Sequence, residues 1–293
     1  MLDVHRLTLL REIKLSGSMT AAARKLSYSH SAISQQMALL EREAGTPLLE
    51  RVGRNVVLTS AGEELVRNTE AILAAMERAE SDLASALQRP AGVVTVAAFA
   101  TISRGVLPGV LTRLAQRHPG LDVRLKITVP EEAVKMLVSR RVDAIITDAY
   151  PGTETTTSGV HATVLANDPL RCYLPDPTMD GDFERIRGVR WVMEPGHTAA
   201  TQWALRVCRE RGFEPIVAYE SADLLFHLRM VEAGLAAAFL PDMVVREAGS
   251  TITASESMPT DQHRAIVFVV RAGAEMRPQL TAFRDAVADG LDM

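Results

Sequence analysis

Residues 29 to 44 read SHSAISQQMALLEREA. Ser29, His30, Ser31, Ser34 and Gln35 are short polar side chains, while Ile33, Met37, Leu40 and Ala44 form an apolar row at three- and four-residue spacing. A solvated helix face normally carries Lys and Glu. Short donors and acceptors suit close approach to base edges in a DNA major groove. Gln35 has the amide to pair bidentately with adenine N6 and N7, and His30 can donate to guanine N7 or to a phosphate. Upstream, Ser18 and Thr20 open another helix and would offer hydroxyl and backbone N–H groups to phosphates. Downstream, Arg51 and Arg54 would reach the DNA backbone or the minor groove. The plainer alternative is that Ser29 only caps the helix and the rest is a solvated surface.

Positioning these groups requires particular elements. Val4, Leu7 and Leu10 predict a first helix over 3–14. Gly17 ends the connection, Ser18 caps a second helix, MTAAARKL, and Ser29 caps a third that Gly45 stops. Two helices joined by a short turn, with alanines where they meet, describe a helix-turn-helix. Extended pieces around 48–51 and 56–58 flank Gly53-Arg54-Asn55, a hairpin or wing with a basic tip. Thr59 or Ser60 then caps a long helix over 61–88. Leu65, Thr69, Ile72, Met76, Ala79, Leu83 and Ala86 fall on alternating three- and four-residue steps, the seam of a coiled coil, which predicts dimerisation. Residues 89–92 break the helix as a hinge.

From Val93 the pattern changes to alternating strands and helices: VVTVAAF, LPGVLTRLAQRH, LDVRLKIT, PEEAVKMLVSRRV and DAIITDA. A second set runs from LRCYLP to LAAAFLP, and RAIVFVV with RPQLTAFRDAVADGL adds one more strand and helix. This predicts an α/β domain on a parallel sheet with crossover helices.

Composition fits such a reading. The chain has 293 residues, 47% hydrophobic and 23% charged, with a mean hydropathy of +0.06. That allows two or three compact units. No apolar run approaches the ~18 residues of a membrane span, and the charged first turns do not read as a signal peptide. Residues 1–62 hold eight Lys/Arg against five Asp/Glu, a net of +3, which leaves −7 on the rest of a chain of net −4. A basic head on an acidic body suits a polyanion partner. Cys172 and Cys208 suggest neither a disulfide framework nor a zinc site, and a reducing cytoplasm is the natural setting. No P-loop, GxGxxG, GxSxG, HExxH or CxxC occurs, and His161, His197, His227 and His263 lack metal-ligand spacing. No catalytic residue, metal or cofactor is expected.

The segment GSMTAAARKLSYSHSAISQQMALLEREAGTPLLER through RNVVLTSAG resembles the winged helix-turn-helix signature of the LysR-type transcriptional regulators. The match includes Gly-Ser before the second helix, the alanine cluster, Ser-x-x-Ala-Ile-Ser in the third, and Leu-Thr-x-Ala-Gly opening the linker helix. Met19, His30 and Ser31 stand where the family usually has Phe, Gln and Pro. Length and layout extend the resemblance to the whole chain.

The resemblance implies a fold and a division of labour. Residues 1–60 would be the winged helix-turn-helix domain, 61–88 the linker and dimerisation helix, and 93–293 a two-lobed, Rossmann-like effector domain similar to periplasmic solute-binding proteins. Lobe I would take about 93–164 and 264–293, and lobe II about 165–263. A small-molecule effector, expected to be anionic, would sit between the lobes at strand ends and helix starts. The candidates are Thr101, Ser103, Thr128 and Asp148 from one lobe, and His197, Thr198, Trp203 and Ser221 from the other. A lone Trp on a helix is more often core, which favours that reading of Trp203; the alternative for Thr101 and Ser103 is that they are plain caps. Double-stranded DNA, the effector, a second copy through the linker helix, a tetramer through the bodies, and RNA polymerase are the implied partners. The setting would be the bacterial nucleoid. The rival is a cytosolic binding protein or enzyme on a solute-binding-like fold, with the head as a protein-interaction module. A protein-interaction helix would show apolar residues at 31, 34, 35 and 38, and Ala38 alone leans that way. A redox role for the cysteines is disfavoured, because oxidant-sensing relatives keep theirs together in one loop region.

Overall fold

The computed structural model describes residues 1–26, 28–52, 55–86, 90–153 and 159–291. They form two compact units, Met1–Glu80 with Ala272–Ala274, and Ser81–Arg271 with Glu275–Met293.

In the first unit, α1 (Val4–Ser16), α2 (Met19–Leu26) and α3 (His30–Ala44) enclose one small core. The Asp3 carboxylate accepts from Arg6 N at 3.1 Å and caps α1, and Gly17 ends it with φ 71°. Leu7, Leu10, Ile13, Ala22, Ile33 and Leu40 are each at most 1% exposed, so the three helices share a packed centre. Val4, expected on the inward face, is exposed because it opens α1; Leu9 and Ile13 fill the core instead. Strands β1 (Leu49–Val52) and β2 (Asn55–Leu58) pair antiparallel, Leu49 with Leu58 and Val52 with Asn55. The predicted hairpin is present; its tip residues Gly53 and Arg54 lie outside the described residues. The Thr59 hydroxyl caps α4 (Ser60–Ala86), accepting from Gly62 N at 3.1 Å and donating to Pro47 O at 2.9 Å. A Cβ on Gly62 would stand 2.2 Å from Leu48 O, so only glycine lets α4 start this close to the wing.

The second unit is built on a six-stranded sheet in the order β4-β3-β5-β10-β6-β9. Strands β3 (Gly92–Ala98), β4 (Leu121–Ile127) and β5 (Ala144–Ala149) are parallel, joined by crossovers carrying α5 (Ala100–Gly105), α6 (Leu107–Arg117) and α7 (Pro130–Val138). The sheet is mixed rather than wholly parallel. β10 (His263–Arg271) runs antiparallel to both β5 and β6 (Val160–Tyr173), and β6 also pairs antiparallel with β9 (Ala238–Pro241). β6 is a 14-residue strand, more than twice the six residues of the predicted LRCYLP, because its first half has no buried row: His161, Ala162 and Val164 are all exposed.

Around its far end lie α8 (Phe183–Gly188), β7 (Arg190–Met193), α9 (Ala199–Glu210), β8 (Ile216–Glu220), α10 (Leu224–Glu232) and α11 (Asp242–Glu247). β7 and β8 are parallel, and an isolated bridge from Trp191 to Ala237 ties β7 toward β9. Trp191, Trp203, Phe213 and Phe239 pack in one cluster there. The last helix is α12 (Pro278–Leu291), whose Phe283 sits 6.2 Å from Phe268 of β10. None of the described helices is long and apolar enough to cross a membrane.

Candidate functional site

The helix-turn-helix begins with two side-chain caps. Ser18 Oγ accepts from Ala21 N at 3.1 Å, and Ser29 Oγ accepts from Ala32 N at 3.1 Å. Ser29 is therefore a cap, and its hydroxyl lies 3.0 Å from that of Ser31. Tyr28 N, donating to Ala23 O at 2.9 Å, closes the turn against α2. With Ile33, Met37 and Leu40 buried, His30, Ser31, Ser34 and Gln35 are all exposed. Thr20 is exposed and Ser18 half-buried.

The two acids that could spoil this face are turned away from it. Glu41 accepts from Leu48 N at 2.9 Å and Leu49 N at 3.1 Å, and Glu43 is held by Arg6. Each tie removes a negative charge from the side a polyanion would approach.

The basic residues divide in the same manner. Arg11 pairs with Glu70 at 2.6 Å, Lys25 with Glu12 at 2.6 Å, and Lys14 with Glu63. Arg24, Arg42 and Arg51 are exposed and have no acidic partner among the described residues. The count of charges in the sequence could not separate bracing cations from free ones. Arg24 and Arg42 were missed for that reason. Arg51 stands on β1 opposite Val56; Arg54 lies outside the described residues.

Along α4, Val66, Thr69 and Leu73 are buried, whereas Ile72 is 38%, Met76 44% and Leu83 74% exposed. The Thr69 hydroxyl donates to Leu65 O at 2.7 Å. An apolar row thus remains on the outside of the protomer.

In the second unit, burial separates the effector candidates. Thr101 and Ser103 are buried in α5, and the Ser103 hydroxyl donates to Phe99 O at 2.8 Å, inside its own helix. Thr128 is half-buried after β4, with its N donating to Ala98 O at 3.0 Å. His197 is an exposed loop residue. Thr198 caps α9, accepting from Thr201 N at 3.3 Å. Ser221 Oγ accepts from Asp223 N at 3.1 Å, and Asp223 rather than Ser221 caps α10. Trp203 is 1% exposed, its ring 5.8 Å from Tyr150 and 5.0 Å from Phe239.

A cleft of about 330 Å³, counted out to its open mouth, is lined by Tyr150, Glu194, Thr201, Trp203, His227 and Phe239 among others. Of the eight candidates only Trp203 lines it. Asp148 lies close enough to Glu194 to shift its ionisation. Burial first, then the Asp148 charge, push the Glu194 carboxyl up to about 7. Burial lowers His227 below the usual histidine value, against a hydrogen bond of its Nε2–H to Ser221 O at 2.7 Å. Beside the cleft, Arg264 is 1% exposed and bonds Asp168 through Nε (3.1 Å) and Nη2 (2.9 Å), and Asp148 through Nη1 (2.9 Å).

Glu194 escaped the sequence reading although its position carried a signal. A lone acid directly after the apolar strand RWVM stands at the carboxyl end of a parallel strand, where ligands gather in α/β folds.

Both thiols are sealed in the core. Burial pushes Cys208 up to about 12 and Cys172 well above the ordinary thiol value, so neither supplies a thiolate near neutral pH. No group of three His, Cys, Asp or Glu among the described residues could hold a metal ion.

Comparison with known proteins agrees with this division. Residues 4–63 match the bacterial regulatory helix-turn-helix protein, lysR family, and residues 87–292 match the LysR substrate binding domain. The chain belongs to the LysR family of transcriptional regulators, with a DNA-binding head and an effector-binding body. Among its relatives, it is 24% identical to the transcriptional dual regulator GltC of Bacillus subtilis, covering 88% of this chain and 87% of that one. It is 30% identical to a RuBisCO operon transcriptional regulator of Allochromatium vinosum, over 72% and 70% of the two chains. Full-length CbnR, crystallised with its target DNA, shares the fold with a TM-score of 0.53, 23% identity, and 99% of both chains covered.

Proposed function

We propose that the outward face of α3 reads base edges in the major groove. Ser31, Ser34, Gln35 and His30 make the base-proximal contacts, and Ser18, Thr20 and Ser29 face phosphates at helix starts. Arg51 and Arg54 grip the backbone or the minor groove from the wing, with Arg24 and Arg42 adding charge. The observation that carries this is the split of one helix into a buried apolar row and an exposed, acid-free polar row.

The chain acts as a homodimer through the exposed Ile72, Met76 and Leu83 of α4, and as a tetramer through its bodies. The cleft beside Glu194 and Trp203 receives the small-molecule effector, with Asp148 close by. Occupancy shifts the arrangement of the dimers on DNA and so RNA polymerase access. Its place of work is the nucleoid. A mobility shift with the DNA flanking its own coding region, titrated with salt, tests the reading. Specific retention that weakens as salt rises is expected, and no retention at low salt contradicts it.

A further inference from the structure

The cleft of the second unit has more carboxylate than cation around it. Glu194 lines it at the end of β7, Asp148 on β5 lies close by, and Glu131 at the start of α7 adds to the same negative field. The Arg264 guanidinium is already divided between Asp168 and Asp148. The Glu194 carboxylate receives no hydrogen bond or ion pair from any described residue. The Thr201 hydroxyl beside it donates instead to the Glu194 backbone carbonyl, at 2.7 Å. The remaining wall is largely apolar: Leu170, Val192, Met193 and Leu224 line it beside Trp203, which packs on Tyr150 and Phe239.

A carboxylate left over from the local pairing, at the edge of a largely apolar cleft, has the chemistry that selects an ammonium group. The carboxylate takes the charge, and the apolar body of the ligand replaces water against the apolar wall. We propose that this cleft binds a small molecule carrying a protonated amine on an apolar or aromatic body, with Glu194 as the counter-ion. The proposal rests on the reading of the cleft as the effector site, and it names a cationic effector in place of the anionic one expected from the helix starts.

Proton balance supports the same assignment. The groups that face Glu194 are Asp148, Glu131, Tyr150, His227 and Arg264. In the free protein the carboxyl is incompletely ionised at neutral pH. An ammonium draws it to the carboxylate, and one proton leaves to solvent. Affinity for an amine therefore rises between about pH 6 and about pH 8.

The experiment uses full-length protein and four probes of matched size: 2-phenylethylamine and hexylamine against 3-phenylpropionate and hexanoate. Melting temperature, calorimetric affinity and retention of DNA from beside its own coding region are read for wild type and Glu194→Gln. The expected result is that an amine raises the melting temperature and the carboxylates do not. The variant, still folded by its own melting curve, loses about tenfold or more in amine affinity. Binding of a carboxylate in place of an amine, amine binding that survives Glu194→Gln, or no binding by any probe overturns the proposal. The two readings separate in the DNA assay. A carboxylate that binds and shifts DNA affinity removes the amine while the effector cleft stands. An amine that binds at Glu194 without changing DNA affinity keeps the amine and removes the effector role.

Discussion

Arg264 and Asp168 form a buried ion pair in which Nε and Nη2 of the arginine both donate to one carboxylate oxygen, at 3.1 and 2.9 Å. The other Asp168 oxygen accepts from Met243 N at 3.0 Å, so the pair ties β10 and β6 to the start of α11. The guanidinium also lies 5.0 Å from the Phe99 ring centroid and reaches Asp148 on β5. One side chain thereby joins the parallel half of the sheet to its antiparallel half.

Arg264→Met leaves two buried carboxylates without their cation and should destabilise this unit by about 3–5 kcal/mol. Urea titration followed by tryptophan fluorescence checks this, because both tryptophans of the chain, Trp191 and Trp203, lie in that unit. A loss under about 1 kcal/mol would mean that the pair holds little.

Glu194 should make the same unit less stable as pH rises. An unfolded glutamate ionises near 4.5, whereas the fold holds the proton to about 7. Below 4.5 the carboxyl is neutral in both states. Between 4.5 and 7 the unfolded chain gives up its proton first, and the fold loses about 2–3 kcal/mol. Glu194→Gln should abolish this loss, melting above wild type at alkaline pH and level with it in acid. A variant with an unchanged pH profile would place Glu194 in open solvent.

The exposed row of α4 makes a separate prediction. Met76→Glu places a charge among Ile72, Met76 and Leu83 at a position that is 44% exposed in the protomer. Light scattering after gel filtration should show wild type as a dimer or larger, and the variant shifted toward monomer with an unchanged helical signal. A variant of wild-type mass would move the interface elsewhere.

The head was more legible in the sequence than the body. Ser18, Ser29, Thr59 and Gly45 cap or stop helices where their types predicted, since capping is set within a few residues. The start of α10 shows the limit of that logic: Ser221 and Asp223 are both good caps, and which one serves depends on where the preceding strand releases the chain. The partners of Arg264 stand 96 and 116 positions away, so no spacing rule could find them. The cleft is assembled from β7, α9, α10 and β9, and Glu194 becomes unusual only when burial and Asp148 meet it in space. Thr101 and Ser103 looked like ligand groups because they follow a strand; the short helix α5 turns the Ser103 hydroxyl onto Phe99 O instead.

The central claim is that α3 reads bases, and Gln35→Ala tests it most directly. Fluorescence anisotropy would compare wild type and variant on the duplex from beside its own coding region and on a scrambled duplex, at several salt concentrations. Wild type should prefer the first duplex. The variant should lose about 1–3 kcal/mol of that preference while its affinity for the scrambled duplex and its salt slope stay unchanged. Equal weakening on both duplexes, or a wild type that ignores DNA even in dilute buffer, would contradict the account.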